Sequence, residues 1–205
     1  MSLYNKKGTH LKKGCYNNDM RKIGNRLTEK LLDILELQVT FLVSLLIMAL
    51  LVNFVALPIQ VDGDSMNPTL SNKDFGLSSI WAKNNEELER GDVVIVKVND
   101  ELWVKRVIGL PNDTVSCKDN QVYVNDRVLT EDYLDQTYIN QEINEHGYFT
   151  QDFDEIKLKD DEVYLMGDNR IHSLDSRIIG PFKLSQLLAK NIYIVWPINH
   201  GKVVE

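Results

Sequence analysis

Residues 37–57 form a run of 21 residues without a charged side chain. About 20 consecutive apolar residues allow a helix to cross the hydrocarbon core of a bilayer. A helix buried in a soluble core is rarely apolar on every face over this length. A cleaved signal sequence usually has an apolar region of about 7–15 residues after a short basic segment, whereas 36 residues precede this run. We therefore expect a retained transmembrane anchor at 37–57.

The charges on the two sides of this run differ in sign. Residues 1–38 contain eight Lys or Arg against four Asp or Glu, and residues 39–205 carry a net charge of −11. Basic residues accumulate on the cytoplasmic side of a membrane helix. We therefore expect a cytoplasmic basic tail at 1–36, disordered before about Ile23, and an extracytoplasmic domain at 58–205 in a single-pass protein of the cell membrane. The acidic balance of that domain argues against a nucleic-acid partner.

After the anchor, short β-branched runs replace the helical pattern. The polar pairs Asn99-Asp100 and Asn125-Asp126 separate such runs and indicate two hairpins. Residues from 184 to 189 favour a short helix, and the region at about 115–161 is predicted to be a loop-rich insertion. The fold class that we expect is mainly β, with one N-terminal transmembrane helix. The candidate strands are 92–98, 102–108, 121–124, 127–130, 163–166 and 191–196.

Lys105 lies inside the second of these strands, where alternation places Trp103, Lys105 and Val107 on one face. At an ordinary lysine pKa only about one amine in 2,500 is neutral at pH 7, which withholds about 4.6 kcal/mol from a reaction that needs a base. Burial among apolar groups can lower the pKa by several units. A lysine whose stem lies along a half-exposed sheet, with its charge in water, is the alternative.

Ser65 follows Gly63 and Asp64, a combination that is typical of a turn. A serine hydroxyl needs a neighbouring base before it can attack an amide at neutral pH, so Ser65 alone is also compatible with a simple turn-forming hydroxyl. Gly63 permits a close backbone approach, so that amide N–H groups near Ser65 could form an oxyanion hole.

A third polar cluster occupies residues 167–177 and carries two carboxylates, two guanidiniums and two hydroxyls. These groups are sufficient for a network that orients a buried lysine. In such a network Ser173 would hydrogen-bond the amine, and Asp175 would pair with Arg177. A polar surface loop that closes a strand is the alternative.

Four segments of the chain, taken in order after the anchor, resemble the signature boxes of type I signal peptidases. One such box would be weak evidence, but four in order are specific. The resemblance runs from about Leu37 to the C-terminus, and the single anchor is similar to that of the compact Gram-positive members. The four segments are Gly63–Leu70, Arg90–Val94, Lys105–Pro111 and Gly167–Gly180.

This resemblance implies a membrane-bound serine endopeptidase, a hydrolase that removes signal peptides from exported preproteins through an acyl-enzyme. Ser65 matches the family's nucleophile and Lys105 its general base. The implied partners are signal peptides, the lipid bilayer and the secretion translocon. The resemblance implies no metal and no other cofactor.

The resemblance also implies three groups of further site residues. Ser173 matches the hydroxyl that positions the lysine, and the two implied ion pairs are Asp175 with Arg177 and Asp168 with Arg106. The Ser65 backbone N–H matches an oxyanion donor, and Gly63 stands where some members place a second donor, a serine. The positions that resemble the substrate-binding pockets for small side chains are Val61, Met66, Leu70, Trp103 and Val104.

Two residues depart from the family pattern. Ile171 replaces a polar or charged residue, and His172 replaces a common asparagine. Because Ser173 and the residues after it stay in register, we expect activity with a local change in the loop. A Ser/His/Asp triad is a poor alternative, since His172 is adjacent to Ser173.

Two other functions compete with a peptidase. A catalytically silent, signal-peptidase-like assembly factor for surface polymers such as pili would typically lack the serine or the lysine, and both are present. A self-cleaving repressor shares the Ser/Lys dyad and a β-rich fold, but the anchor and the absence of a basic DNA-reading domain argue against it.

Overall fold

The computed structural model divides the chain into two compact units, Met1–Val52 and Asn53–Glu205. The structure describes residues 8–79, 88–201 and 203–204.

One long helix, α1 (Gly8–Val55), dominates the first unit. The segment Arg26–Leu50 of this helix has a mean hydropathy of 2.0, and its apolar stretch is not buried against the rest of the described chain. It is therefore long and apolar enough to cross a membrane. The helix begins well before Ile23, where we expected a disordered tail, because extending a helix needs no new nucleus. It ends before residue 57, since Pro58 disfavours helical geometry at the preceding residue.

The second unit is built from β-strands, and twelve of them lie in the described part of the chain. They are β1 (Ala56–Gln60), β2 (Phe75–Ser79), β3 (Val93–Val98), β4 (Glu101–Gly109), β5 (Thr114–Lys118), β6 (Gln121–Val124), β7 (Arg127–Val128), β8 (Phe153–Lys157), β9 (Glu162–Met166), β10 (Phe182–Lys183), β11 (Leu187–Trp196) and β12 (Val203–Val204). The mainly β fold class is therefore confirmed.

The larger sheet has the strand order β1-β2-β11-β3-β4-β9-β10, with β12 paired to β11. Its centre is the predicted β3–β4 hairpin, which pairs Val94 with Lys105 and Val93 with Arg106. The turn of this hairpin contains Asn99 at φ 55°, a left-handed conformation that asparagine tolerates well. Residues 93–96 are buried, because this sheet has an apolar cluster on each face.

The expectation of a loop-rich insertion at about 115–161 is wrong. A four-stranded antiparallel sheet of order β7-β6-β5-β8 occupies most of it, together with helix α2 (Gln136–His146). On β8 the acidic Asp154 and Glu155 are exposed, while Phe153 and Ile156 pack against the core of this sheet. Asp135 caps α2 by accepting a hydrogen bond of 2.6 Å from the Thr137 N–H.

The short helix predicted at 184–189 is also wrong. A 3-10 turn covers Leu184–Gln186 only, and β11 begins at Leu187. Leu187 and Ala189 pair with Val96 and Ile95 of the central strand β3, so sheet pairing overrides the local helical preference.

Two features of this unit position the polar loops. Strand β9 pairs with β4 from Arg106 onward and leads directly into the 167–180 loop. A four-residue helix, α3 (Ser176–Ile179), closes this loop, and Asp175 caps it.

Candidate active site

The structure brings the two predicted catalytic residues into contact. Lys105 Nζ and Ser65 Oγ are 2.8 Å apart and hydrogen-bonded. Lys105 lies on β4 and is only 3% exposed, whereas Ser65 lies in the turn after β1 and is half-buried. The serine hydroxyl is thus reachable from solvent while its potential base is largely shielded.

The environment of Lys105 favours a neutral amine. Burial lowers its pKa from the ordinary value of 10.5 to about 8, although the Asp175 carboxylate partly opposes that effect. Its nearest strand neighbour on the same face, Trp103, places its ring 5.6 Å from Nζ, and Val107 is fully buried. Near neutral pH a useful fraction of Lys105 can therefore act as a base.

The Asp175–Arg177 ion pair forms as predicted. Arg177 Nη2 and Nε donate to the Asp175 carboxylate at 2.7 and 2.8 Å, and Gly167 N–H donates to it at 3.0 Å. Burial alone would raise the pKa of Asp175, but the hydrogen bonds from Arg177 bring it below its ordinary value. A fixed carboxylate therefore lies behind the dyad.

Ser173 does not make the predicted hydrogen bond to the lysine amine. Its buried Oγ has no hydrogen-bond partner in the described part of the chain, while Lys105 Nζ donates to Ser65 Oγ. The hydroxyl lies close enough to the Asp175 carboxylate to help lower the pKa of that group, although their geometry does not meet the distance and angle of a hydrogen bond. A Cβ at Gly167 would lie 2.3 Å from both Ser173 Oγ and the Ser65 carbonyl oxygen. The three residues are thus tightly packed, and the positioning role of Ser173 stays a prediction.

Asp168 and Arg106 form the second predicted ion pair, buried beside the site. Two parallel hydrogen bonds of 2.9 and 2.8 Å join them, and neither residue is more than 2% exposed. Arg106 also donates to the Gly91 carbonyl oxygen at 2.5 Å and stacks over the Tyr133 ring at 4.0 Å. This pair fixes β4 against the start of the 167–180 loop.

A cavity of about 330 Å³ opens beside the dyad. Four of the five predicted pocket residues line it: Val61, Met66, Trp103 and Val104. Leu70 does not line this cavity, so the structure gives no support to its predicted substrate contact. It is fully buried in the apolar core, where it packs with Met66.

The two predicted oxyanion residues differ in whether their backbone N–H groups already have an acceptor. The Ser65 N–H has no acceptor among the described residues, whereas the Gly63 N–H donates to Asn72 Oδ1 at 3.2 Å. Gly63 has φ +93°, a conformation in which a side chain is strained. Gly63 is therefore a turn residue whose own N–H is already used.

Sequence reasoning missed Asn169 and Arg170 as site residues, although both lie inside a quoted signature segment. The Asn169 side chain hydrogen-bonds the backbone beside Ser65. The buried Arg170 guanidinium binds Glu131 and, at 3.1 Å, Thr150 Oγ1. These contacts join distant parts of the chain, so no local pattern indicates them. No group of three His, Cys, Asp or Glu side chains could hold a metal ion among the residues described.

A serine hydroxyl hydrogen-bonded to a buried lysine amine, beside an open cavity on a β-sheet domain, is the arrangement of a Ser/Lys serine hydrolase. The model of the family "Signal peptidase, peptidase S26" matches residues 34–196. The chain belongs to this family and is therefore a serine peptidase, which confirms the resemblance carried by the four signature segments.

Two Bacillus relatives agree with this assignment. The chain is 36% identical over 168 residues to signal peptidase I S of Bacillus subtilis strain 168, covering 82% of this chain and 91% of the relative. It is 34% identical over 174 residues to signal peptidase I of Bacillus amyloliquefaciens, covering 84% and 93%. A crystal structure of a signal peptidase I from Enterococcus faecalis V583 is 29% identical, with a TM-score of 0.46, and the match covers 51% of this chain and 96% of that one. Neither of the two Bacillus relatives supports the assembly-factor alternative.

Proposed function

We propose that this chain cleaves signal peptides from exported preproteins, with Ser65 as the nucleophile and Lys105 as the general base. The observation that carries the proposal is the 2.8 Å contact between Lys105 Nζ and Ser65 Oγ. The buried position of the amine supports it, because a base must be neutral before it can accept a proton. The names of the relatives, signal peptidase I, support the substrate class.

The reaction is acyl transfer in two stages. Neutral Lys105 takes the Ser65 hydroxyl proton while Oγ attacks the scissile carbonyl carbon. The lysine ammonium then gives this proton to the leaving amine, the C–N bond breaks, and the signal peptide stays on Ser65 as an ester. In the second stage Lys105 takes a proton from water, the resulting hydroxide attacks the ester, and the same proton returns to Ser65 Oγ.

The substrate binds in an extended form beside β4. Strand β9 pairs with β4 only from Arg106 onward, so the edge from Glu101 to Lys105 faces no β9 partner in the described residues. An extended peptide can add to such an edge. The cavity walls at Val61 and Val104 then meet the side chains next to the cut, and the limited volume favours small ones.

The reaction takes place at a membrane. Residues 37–57 anchor the chain, 1–36 form the basic cytoplasmic tail, and 58–205 form the catalytic domain outside. The exposed apolar length of α1 supports the anchor, and the basic excess before it supports this orientation. Contact with the secretion translocon is a further expectation from the resemblance.

Cleavage of a preprotein by the purified full chain in detergent micelles tests the proposal. We expect Ser65→Ala and Lys105→Met to abolish processing. Ser185→Ala and Lys118→Met change exposed residues of the same types and are expected to process normally. Unchanged processing by either dyad variant would refute the assigned chemistry, and no processing by the wild type would refute the substrate class.

A further inference from the structure

Asn169 joins the 167–180 loop to the turn that carries the nucleophile. Its Nδ2 donates to the Asp64 carbonyl oxygen at 3.1 Å, and its backbone N–H donates to the Ser65 carbonyl oxygen at 3.1 Å. Its Oδ1 accepts from the His172 N–H, also at 3.1 Å. Asn169 is only 4% exposed, so these bonds lie in a shielded environment where they are strong.

These bonds help to fix the direction of two peptide planes, and the Asn67 N–H also donates to the Asp64 carbonyl oxygen at 3.0 Å. In a planar trans peptide the C=O and the following N–H point to opposite sides. Because Asn169 holds the Asp64 and Ser65 carbonyls on its own side, the N–H groups of Ser65 and Met66 point away from it. Neither N–H has an acceptor among the described residues, and both residues line the cavity beside the dyad.

A second donor beside the Ser65 N–H would strengthen an oxyanion hole in this region. A tetrahedral intermediate develops a full negative charge on one oxygen, which is best stabilised by donors that are already oriented. Gly63 carries no hydroxyl, its N–H is bonded to Asn72, and its φ of +93° disfavours a side chain. Consecutive free N–H groups form a concave anion site, and the pair at Ser65 and Met66 satisfies this requirement.

We propose that Asn169 is a positioning residue that directs the N–H groups of Ser65 and Met66 into the cavity as a two-donor oxyanion hole. This inference deepens the proposed function and rests on it. Asn169 itself touches no reacting atom. Its loss therefore acts on the transition state through the backbone of the Ser65 turn.

Asn169→Asp tests this inference, because it keeps the size of the side chain and removes the Nδ2 donor. Losing one oxyanion donor lowers kcat by about 10²–10³-fold, and we expect a fall of about that size or somewhat less, with KM changed by less than about twofold. The rising limb of the pH profile should stay in place for Asn169→Ala, whereas the carboxylate added by Asn169→Asp should move it to higher pH if it moves at all, because Asp175 and Asp168 already raise the pKa of Lys105. Asn144→Asp, an exposed asparagine of α2, is the matched control and should be neutral.

A pair of inhibitors separates positioning from general structural support. A substrate-like peptide aldehyde forms a hemiacetal: Ser65 Oγ bonds to the aldehyde carbon, its proton passes to Lys105, and the aldehyde oxygen becomes the oxyanion. The corresponding peptide alcohol binds without this bond. We expect Asn169→Asp to weaken aldehyde binding by about the factor lost in kcat and to leave alcohol binding unchanged.

The inference would be overturned if Asn169→Asp lost equal binding affinity for the aldehyde and the alcohol, or if it changed only KM. Asn169→Ala is a second variant, and thermal unfolding of both variants identifies one that fails to fold. If both unfold, Asn169 holds the fold rather than the oxyanion donors, and the inference is refuted. Ser65→Ala distinguishes this result from failure of the proposed function, because an active Ser65→Ala enzyme would refute the dyad whatever Asn169 does.

Discussion

Replacing Lys105 by methionine should destroy activity and also stabilise the folded protein near neutral pH. Methionine has a similar length and no charge, so it can fill the same space on β4. The wild-type fold must hold an amine whose pKa is about 8 instead of 10.5. A cation with a lowered folded-state pKa destabilises the fold wherever the unfolded chain binds the extra proton.

The size and sign of this effect follow from that pKa. Each pKa unit corresponds to roughly 1.4 kcal/mol, so the largest penalty is about 3 kcal/mol. It is fully present below pH 8, decreases between pH 8 and 10.5, and vanishes above 10.5, where the lysine is neutral in both states. Lys105→Met also loses the hydrogen bond to Ser65, which costs about 1 kcal/mol at any pH. The net gain at pH 7 is therefore about 2 kcal/mol.

Urea unfolding of the full chain in detergent micelles, followed by tryptophan fluorescence, measures this difference. The stabilisation by Lys105→Met should be larger at pH 7 than at pH 10 by about 2–3 kcal/mol. Lys118→Met, at an exposed position on β5, should show no such dependence. If the Lys105→Met difference is the same at both pH values, the ammonium is not destabilised by burial, and the reasoning that makes it a base fails.

Further predictions concern the supporting residues. The kcat/KM of the wild type should rise with pH through about 8 as Lys105 loses its proton. Asp175→Asn should move this rise in kcat/KM to lower pH, because the Asp175 carboxylate raises the pKa of Lys105. A rise near pH 10 in either enzyme would contradict both predictions. Gly167→Ala should lower kcat by at least about 100-fold, since the alanine methyl carbon would lie 2.3 Å from the Ser173 hydroxyl oxygen. A folded Gly167→Ala variant with the kcat of the wild type would disprove this crowding. Arg106→Met should destabilise the fold by about 3–5 kcal/mol in urea unfolding, because it leaves the buried Asp168 carboxylate unpaired. Adding Asp168→Leu to Arg106→Met should recover much of that loss. Equal stability of the single and the double variant would refute this explanation.

The elements that the sequence predicted well are those specified by their own residues. The β3–β4 hairpin is β-branched on both strands with a polar turn, and strand alternation correctly indicated apolar neighbours for Lys105. The Asp175–Arg177 pair lies within three residues, so its geometry is local. Signature segments located the nucleophile turn and the 167–180 loop.

The features that the sequence did not predict depend on contacts between distant residues or on the caps at the ends of a helix. Helix α2 is polar on most of its surface, and its ends are marked only by Asp135 and Gly147. The contacts of Asn169 with the Ser65 turn span more than 100 residues of chain. Whether Lys105 donates to Ser65 or to Ser173 depends likewise on the direction of its side chain, which strand alternation alone does not determine.

The neighbouring positions of Lys105 and Arg106 on β4 have a consequence for how the chemistry is encoded. Successive side chains of a strand point to opposite faces, so pairing β4 with β3 one residue out of register would exchange these two cations. A guanidinium never loses its proton in a protein, and it would then occupy the place that requires a neutral base. The pairing of Val93 with Arg106 and of Val94 with Lys105 therefore does more than shape a sheet. It places Lys105, which can lose its proton, beside Ser65, and it places Arg106, which cannot, on the opposite face of the sheet. Proton transfer therefore requires the correct alignment of these two strands.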